Sequence, residues 1–286
     1  MGVPAGCRGP LFRRVSANRR VSALAGLVLV AACAPAQVSW LDMTTWSIVA
    51  MDPVTGDVGV SMASCVPETY GDAVAALAPG RGAAAVQARW DLTNRNRVFE
   101  LLKEGLPAGE IVRRVTAPKA DSVLGRRQYG IVTMAGGSVE LAGYTGDQAS
   151  TWSGRSYDQR MAVTAQGNTL VGEAVVDKAL EAFLNDDPAG LNTLPDRLMR
   201  ALEAGSAAGG DIRCNRDGIT STAATAMILV ARGGDEPYAT ADIGMTDQGT
   251  PAAPWLALSE TNVREGPNPI IELRRRYDAW RRVATP

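Results

Sequence analysis

The sequence predicts an α+β protein in which two β-sheets lie between layers of helices. Strand-like segments come first, amphipathic helices follow, and a strand that is apolar on both faces comes near the end, an order typical of this layered class. The first two strand-like segments, 45–51 and 58–64, are also apolar on both faces, so their sheet needs cover on both sides. The roughly 250 residues that follow an N-terminal leader suit one large domain.

The segments TWSIVAM (45–51) and VGVSMAS (58–64) are predicted to form a β-hairpin. The intervening DPVTGD supplies Asp, Pro and Gly, whose backbone preferences and local hydrogen bonding favour a turn. In a regular hairpin Met51 pairs with Val58, and Thr45 pairs with Ser64 at the far end. One face then ends in hydroxyls after an apolar stretch of Met51, Val49, Val58, Val60 and Met62, and the other carries Trp46, Ile48, Ala50, Gly59 and Ala63.

The later elements follow from hydrophobic spacing and from the glycines and prolines between them. In order, the sequence predicts a buried strand at 82–89, helices at 95–105 and from Pro107, a hairpin at 128–146 around Gly136 and Gly137, a strand running into a polar loop at 160–168, helices at 172–185 and 194–205, a doubly buried strand at 220–231 and a helix at 268–283.

The first 36 residues are interpreted as a signal peptide. Five arginines precede the apolar run 23–32, and no acidic residue occurs before Asp42. The run is too short to cross a bilayer, which takes about 20 apolar residues. Two cleavage sites are possible: a lipoprotein-type site, at which a lipid is attached to Cys33, and a conventional signal-peptidase site after Ala36. Alternatively, translation begins at Met43. We therefore expect an exported protein with a short lead-in at 37–44, a main domain at 45–232 and a C-terminal extension at 233–286 that ends in an amphipathic helix.

Charge and residue usage exclude several function classes. The chain has 29 Lys and Arg against 30 Asp and Glu, and removal of the five leader arginines leaves 24 against 30, so nucleic acid is not an expected partner. The chain has no histidine, which excludes a Ser-His-Asp triad and histidine-ligated metal sites. No cofactor motif, metal-ligand spacing or membrane span is predicted. Cys65 and Cys214 form a disulfide if the chain is exported and stay free if it is cytosolic.

Several segments in combination resemble a known bacterial family. They are TWSIVAMDPVTGDVGVSMAS, AVQA, GLPAGEIV, VTAQGNTLVGEAVVDKALEAF, RLMRALEAGSAAGGDIR and NPIIELRRR, spread over roughly residues 45 to 276. Together they resemble domain of unknown function 1028, a family grouped with the N-terminal nucleophile (Ntn) hydrolases. The resemblance implies the Ntn-type fold, a four-layer αββα sandwich.

The resemblance also implies catalytic residues that need no histidine. Thr45 lies on the pattern with which family members begin, so its hydroxyl is the implied nucleophile and its own α-amine, whose pKa in a free peptide is near 8, is the base; otherwise Thr45 is an ordinary β-branched strand residue. Asn168, in QGN, either donates an amide N–H to an oxyanion or serves as a turn residue. Asp211 and Arg213, in GGDIRC, either orient the amine or clamp a substrate carboxylate, or form a structural ion pair.

Two departures from the family pattern affect this interpretation. Neither signal-peptide cleavage site would make Thr45 the N-terminal residue, so a second cut between Thr44 and Thr45 is required. Many family members have ASK where this chain has Ala63-Ser64-Cys65, and a glycine where it has Cys214. Both changes introduce cysteine, so the resemblance implies a Cys65–Cys214 bridge in an oxidising compartment.

The expected function is that of an exported amidohydrolase acting on a small amide or peptide-like bond. The alternative is a catalytically inactive binding or scaffold protein of the cell envelope with the same fold. In either case the QGN and GGD loops are expected to converge on Thr45 and Ser64. No cofactor is expected, and the sequence predicts neither the substrate nor the oligomeric state.

Overall fold

Antiparallel strands form two sheets in the computed structural model of this chain, which describes residues 42–43, 45–66, 71–149, 151–215, 221–239, 254–262 and 266–284. The predicted signal peptide, including Cys33, lies outside the described residues. In chain order the strands of the described part are β1 (Asp42–Met43), β2 (Thr45–Met51), β3 (Val58–Ser64), β4 (Ala75–Ala78), β5 (Gly82–Arg89), β6 (Arg127–Ala135), β7 (Ser138–Thr145), β8 (Gly154–Asp158), β9 (Val163–Gly167), β10 (Thr225–Ala231) and β11 (Leu256–Thr261).

Helices occupy the intervals between several of these strands. The α-helices of the described part are α1 (Leu92–Lys103), α2 (Ala108–Val115), α3 (Ala174–Leu184), α4 (Leu194–Ala207) and α5 (Pro269–Ala284), and short 3₁₀ turns cover Gly71–Val74 and Leu124–Arg126. None of these helices is long and apolar enough to cross a membrane. The α+β class is therefore confirmed.

The two sheets differ in strand order. Sheet I has the order β1-β5-β6-β7, with β4 also paired to β5, and sheet II has the order β11-β10-β3-β2-β9-β8. Every neighbouring pair is antiparallel. Strand β10 therefore lies inside sheet II, between β11 and β3, as its two apolar faces predicted.

Three apolar cores hold the described elements together. One lies between the two sheets and is formed by side chains of β2, β3 and β10 on one side and of β4, β5 and β6 on the other. A second lies between the outer face of sheet I and helices α1 and α2. The third lies between the outer face of sheet II and helices α3, α4 and α5. Both faces of the central strands are thus covered, which explains why their sequences lack the alternation of a half-exposed sheet, whereas β7, β8 and β11 are partly exposed.

The predicted register of the first hairpin is confirmed. Met51 pairs with Val58 and Thr45 with Ser64. The Asp52 carboxylate caps the turn by accepting from the backbone N–H groups of Val54 and Thr55. The face that carries Val49 and Met51 enters the core between the sheets, and the face that carries Trp46 and Ile48 meets the helices.

Two predicted boundaries are wrong for local reasons. Helix α1 begins at Leu92, not at 95, because the Asp91 side chain accepts from the backbone N–H of Asn94 and caps the helix earlier. Strand β10 begins at Thr225, not at 220, because the chain just before it turns toward the GGD loop: the Thr222 carbonyl accepts from the N–H of Asp211. Strands β1, β4, β8 and β11 were not predicted at all.

Candidate functional site

The candidate site lies at the open end of the hairpin, where β2 begins and β3 ends. Thr45 is the first residue of β2 and faces Ser64, the last residue of β3, and both are fully buried. Because side chains alternate along a strand, Thr45 points to the same side as Ser47, Val49 and Met51, into the space between the sheets. The sequence-based pairing of the two hydroxyl residues is therefore confirmed.

Groups from both sheets converge on the carbonyl of Thr45. Its oxygen accepts from the backbone N–H of Asn168, at 3.0 Å, and from Gln87 Nε2, at 3.3 Å. Asn168 directly follows β9 in sheet II, whereas Gln87 belongs to β5 in sheet I. The QGN loop thus reaches the start of β2 as expected, and the backbone position of Thr45 is fixed from two directions.

A network of buried amide side chains fills the space between the sheets beside Thr45. Gln87 Oε1 accepts from Ser47 Oγ at 2.7 Å, and Gln87 Nε2 donates to Gln128 Oε1 at 2.8 Å. Asn168 Nδ2 donates to the same Gln128 oxygen at 3.0 Å. Gln166 Nε2 donates to Ser47 Oγ at 2.6 Å. These side chains give the candidate site a polar lining in an otherwise apolar interior.

Sequence reasoning missed three members of this network: Gln87, Gln128 and Gln166. A signal for them existed, because each is the lone amide residue in a strand whose other residues are mostly apolar or small: GAAAVQAR, RQYGIVTMA and VTAQG. A polar residue inside a doubly covered strand must find hydrogen-bond partners in the interior. Each of the three is therefore expected to have interior partners, although its own strand does not show which residues they are.

One atom of this cluster is not satisfied. Asn168 is 1 % exposed, and its Oδ1 atom has no hydrogen-bond partner among the described residues. An unsatisfied buried acceptor costs about 1–3 kcal/mol, so native structures rarely leave one without a reason. The atom belongs to the residue whose backbone contacts Thr45.

The GGD loop meets the same end of the hairpin through Asp211. Its fully buried carboxylate accepts from the backbone N–H of Cys65, at 3.1 Å, and from Arg213 Nε and Nη2, at 3.0 and 2.7 Å. Cys65 directly follows Ser64, so this carboxylate fixes the chain where β3 ends. Arg213 presents two donors to one carboxylate, the geometry of a structural ion pair.

The predicted bridge between Cys65 and Cys214 is confirmed. The two Cα atoms are 5.6 Å apart, and the cysteines are separated by 149 residues in the sequence. Both are fully buried and pack with Ala224. The bridge ties the end of β3 to the GGD loop, the same two segments that the Asp211 carboxylate joins.

The chain changes sheets immediately before Thr45. Strand β1 pairs with β5 in sheet I, with Met43 opposite Ala88, whereas β2 lies in sheet II. A single residue, Thr44, separates the two strands in the sequence. Ala88 has a φ of 69°, a left-handed conformation uncommon for any residue except glycine. The backbone that precedes the candidate nucleophile is therefore held on the opposite sheet.

A separate cavity of about 510 Å³ lies at the start of α1, beside Arg127 and Asp121. Burial alone would raise the pKa of Asp121, but hydrogen bonds from Arg127 and from the Val123 N–H lower it below its usual value. Burial raises the pKa of Tyr129 to about 12, although Asn94 donates to its hydroxyl. The polar groups of this cavity thus hydrogen-bond to one another. The end of the hairpin at Thr45, where Asn168 Oδ1 has no partner among the described residues, is therefore the stronger candidate site.

A family model described as a family of unknown function (DUF1028) matches residues 45–254. The chain belongs to the DUF1028 family. No curated protein matches it. A crystal structure of a DUF1028 protein from Silicibacter pomeroyi is similar at 24 % sequence identity, with a TM-score of 0.60, over 83 % of this chain and 86 % of that chain. The two DUF1028 proteins thus share a fold. Among the described residues, no group of three or more Cys, Asp or Glu could hold a metal ion.

Proposed function

We propose that this DUF1028 protein is an exported amidohydrolase of the Ntn type, with Thr45 as its nucleophile. The position of Thr45 carries the proposal: it is the first residue of an interior strand, buried between two sheets whose outer faces are covered by helices. We assign this arrangement to the four-layer αββα sandwich of Ntn hydrolases. The substrate we propose is a small amide or peptide-like bond.

The proposed chemistry uses one residue as both nucleophile and base. The Thr45 hydroxyl oxygen attacks the amide carbonyl carbon while the α-amine of Thr45 takes the hydroxyl proton. The C–N bond then breaks, the leaving amine departs with that proton, and an ester remains on Thr45. The α-amine next takes a proton from a water molecule, whose oxygen attacks the ester carbon. The C–O bond to Thr45 then breaks, the acid leaves, and the α-amine returns the proton to the Thr45 hydroxyl. An α-amine has a pKa near 8 in a free peptide, which suits it to both transfers at neutral pH.

This mechanism requires a cut between Thr44 and Thr45. The change of sheets at that point supports it, because β1 stays on sheet I by its own pairing with β5 and does not contribute to the pairing of β2 with β3. The family match also begins at Thr45. Cleavage would leave the α-amine at the start of β2, beside the buried amide network.

The remaining predicted residues take supporting roles in the proposal. Asp211, Arg213 and the Cys65–Cys214 bridge act as positioning groups that hold the end of β3, and therefore Ser64, opposite Thr45. Asn168 positions the Thr45 carbonyl through its backbone and offers its side chain to the ligand. We expect Arg213→Ala to lower kcat/KM less than Thr45→Ala does.

The test combines the mature N-terminus with activity. We expect the intact mass of the purified protein to correspond to a chain that starts at Thr45, and we expect this form to hydrolyse small acyl anilides. Thr45→Ser keeps a hydroxyl and should retain measurable cleavage and turnover, whereas Thr45→Ala should abolish both. An active protein whose chain still contains Thr44 would contradict the proposal.

A second candidate function is a non-catalytic binding or scaffold protein of the envelope. The observation that favours it is Cys65: the resemblance places a lysine there in many family members, and here the position is locked in a disulfide that cannot transfer protons. This function predicts a mature chain that starts at Cys33 or Gln37. It also predicts that Thr45→Ala changes no ligand binding.

A further inference from the structure

The unsatisfied atom of Asn168 can be identified from its surroundings. Gln128 Nε2 lies 2.8 Å from the Gly167 carbonyl and 3.3 Å from the Gly154 carbonyl. Carbonyl oxygens only accept hydrogen bonds, so the Gln128 atom that faces them must be its nitrogen. Its other amide atom is therefore the oxygen.

The orientation of Asn168 follows from that of Gln128. The Gln128 oxygen receives one amide atom from Gln87, at 2.8 Å, and one from Asn168, at 3.0 Å. Both must be nitrogens, since a flipped Asn168 would set two oxygens against each other. The Asn168 atom without a partner among the described residues is accordingly Oδ1, a hydrogen-bond acceptor.

We infer that Asn168 Oδ1 is the recognition point for an N–H group of the ligand, and that the ligand class is an amide that carries at least one N–H. A desolvated acceptor gains most from a donor, whereas an ester or ketone oxygen placed there would leave two acceptors facing each other. This inference rests on the site assigned under the proposed function and adds the chemical group that the site selects.

The charges around the site favour a neutral amide over an ammonium ion. The buried carboxylate nearby in the fold, that of Asp211, is already engaged by Arg213 and by the Cys65 N–H. The amide network supplies only neutral groups. A buried cation without an anionic partner is costly, whereas a carboxamide N–H needs only the one acceptor that Asn168 offers.

The experiment compares two small probes of the same shape, propionamide and butanone, which differ in whether the carbonyl carries NH₂ or CH₃. Binding to the purified processed protein is measured by saturation-transfer NMR, and release of propionate is followed in the same samples. We expect propionamide to bind at least about tenfold more tightly than butanone. Asn168→Leu should abolish this preference.

Asn94→Leu is the matched control, because Asn94 is also a buried amide, but its side chain donates to Asp121 and Tyr129 and not to the network beside Thr45. It should keep the preference for propionamide. Circular dichroism establishes that each variant is folded. Equal binding of the two probes, binding of neither, or a preference that survives Asn168→Leu would overturn the inference. A preference for propionamide without propionate release would uphold the inference while counting against hydrolysis.

Discussion

At the level of single residues, the interior amides decide how firmly Thr45 is held. Gln87 has three partners: it accepts from Ser47 and donates to Gln128 and to the Thr45 carbonyl. Each partner is buried, so removal of the Gln87 amide takes a hydrogen-bond partner away from several polar groups at once. The network therefore behaves as one unit, in which the loss of a member leaves its neighbours unsatisfied.

We predict that Gln87→Leu lowers the free energy of unfolding by about 2–4 kcal/mol, because it leaves the Ser47 hydroxyl and the Gln128 oxygen with fewer partners. Chemical denaturation at neutral pH measures the change. Gln148→Leu is the control: that side chain is exposed, and its substitution should stay within about 0.5 kcal/mol. Equal effects of the two substitutions would show that the network contributes nothing to stability.

At the level of elements, close packing of Trp46 against helix α4 depends on a glycine. A Cβ atom at Gly205 would lie 2.6 Å from Trp46 Nε1 and 2.9 Å from Trp46 Cδ1. The indole is 1 % exposed and belongs to the core between sheet II and its helices, so it has no free space to retreat into. The glycine thus sets the distance between α4 and β2.

We predict that Gly205→Ala destabilises the protein by about 1–3 kcal/mol through overpacking, although alanine favours a helix by about 1 kcal/mol over glycine. The matched variant is Gly109→Ala in α2, where the Cβ would meet only the carboxylate end of Glu140, a flexible side chain that accepts from the Gly109 N–H and can shift without moving the backbone. Gly109→Ala should be neutral or stabilising. Thermal unfolding compares the two, and a stabilising Gly205→Ala would contradict the packing described for Trp46.

Helix α5 is fastened to α4 by a buried carboxylate. Asp196, in the first turn of α4, accepts from Thr193 in a capping box and from Tyr277 Oη and Arg281 Nε of α5, each of the latter at 2.7 Å. Burial raises the pKa of Asp196, but these hydrogen bonds offset burial, and the net pKa lies below its usual value. Burial, together with the bond to Asp196, raises the pKa of Tyr277.

A pH-dependent contribution to stability follows. Because the folded pKa of Asp196 lies below the unfolded value of about 4, the unfolded chain binds more protons in acid, and the stabilisation is present above that pH and lost as the pH falls through the folded pKa. We predict that Asp196→Asn lowers the free energy of unfolding by about 2–4 kcal/mol at pH 7. The deficit should shrink toward pH 2, and urea titrations across pH measure it. A deficit independent of pH would rule out this role for the charge.

The exposed pair between Asp186 and Arg197 provides the control for this prediction. Asp186 is 77 % exposed at its side chain, so its ion pair is screened by solvent. Asp186→Asn should change the free energy of unfolding by no more than about 1 kcal/mol at any pH in the series. The comparison separates the contribution of the buried Asp196 carboxylate, which joins α4 to α5, from that of an ion pair on the surface.

At the level of the whole molecule, the sequence was informative where one local rule decided the outcome. The turn DPVTGD determined the register from Met51 to Thr45, and glycines marked the hairpin of β6 and β7. Sequence reasoning failed where partners lay far apart in the chain. Strand β11 joins sheet II only through β10, and Gln87, Gln128 and Asn168 meet only because two sheets face each other. No local pattern encodes such encounters.

The Cys65–Cys214 bridge connects parts of the chain that are distant in the sequence, so its loss should lower the stability of the whole fold. It closes a loop of 149 residues and joins β3 to the GGD loop that precedes β10. Cross-linking a chain over such a distance restricts the unfolded ensemble, with a theoretical stabilisation near 5 kcal/mol and typical values of about 2–4 kcal/mol. A bridge of this kind forms in an oxidising compartment, which accords with the proposed export.

We predict that replacing both cysteines by alanine lowers the free energy of unfolding by about 2–5 kcal/mol, and that reduction of the parent protein has a similar effect. Urea unfolding with and without reductant measures both, and thiol titration of the denatured, unreduced protein should find neither Cys65 nor Cys214 free. The double variant should be insensitive to reductant, which is the internal control. The Asp211 carboxylate still holds the Cys65 N–H without the bridge, so the folded variant should keep its preference for propionamide over butanone. Loss of that preference, with the fold intact, would mean that the disulfide itself shapes the site.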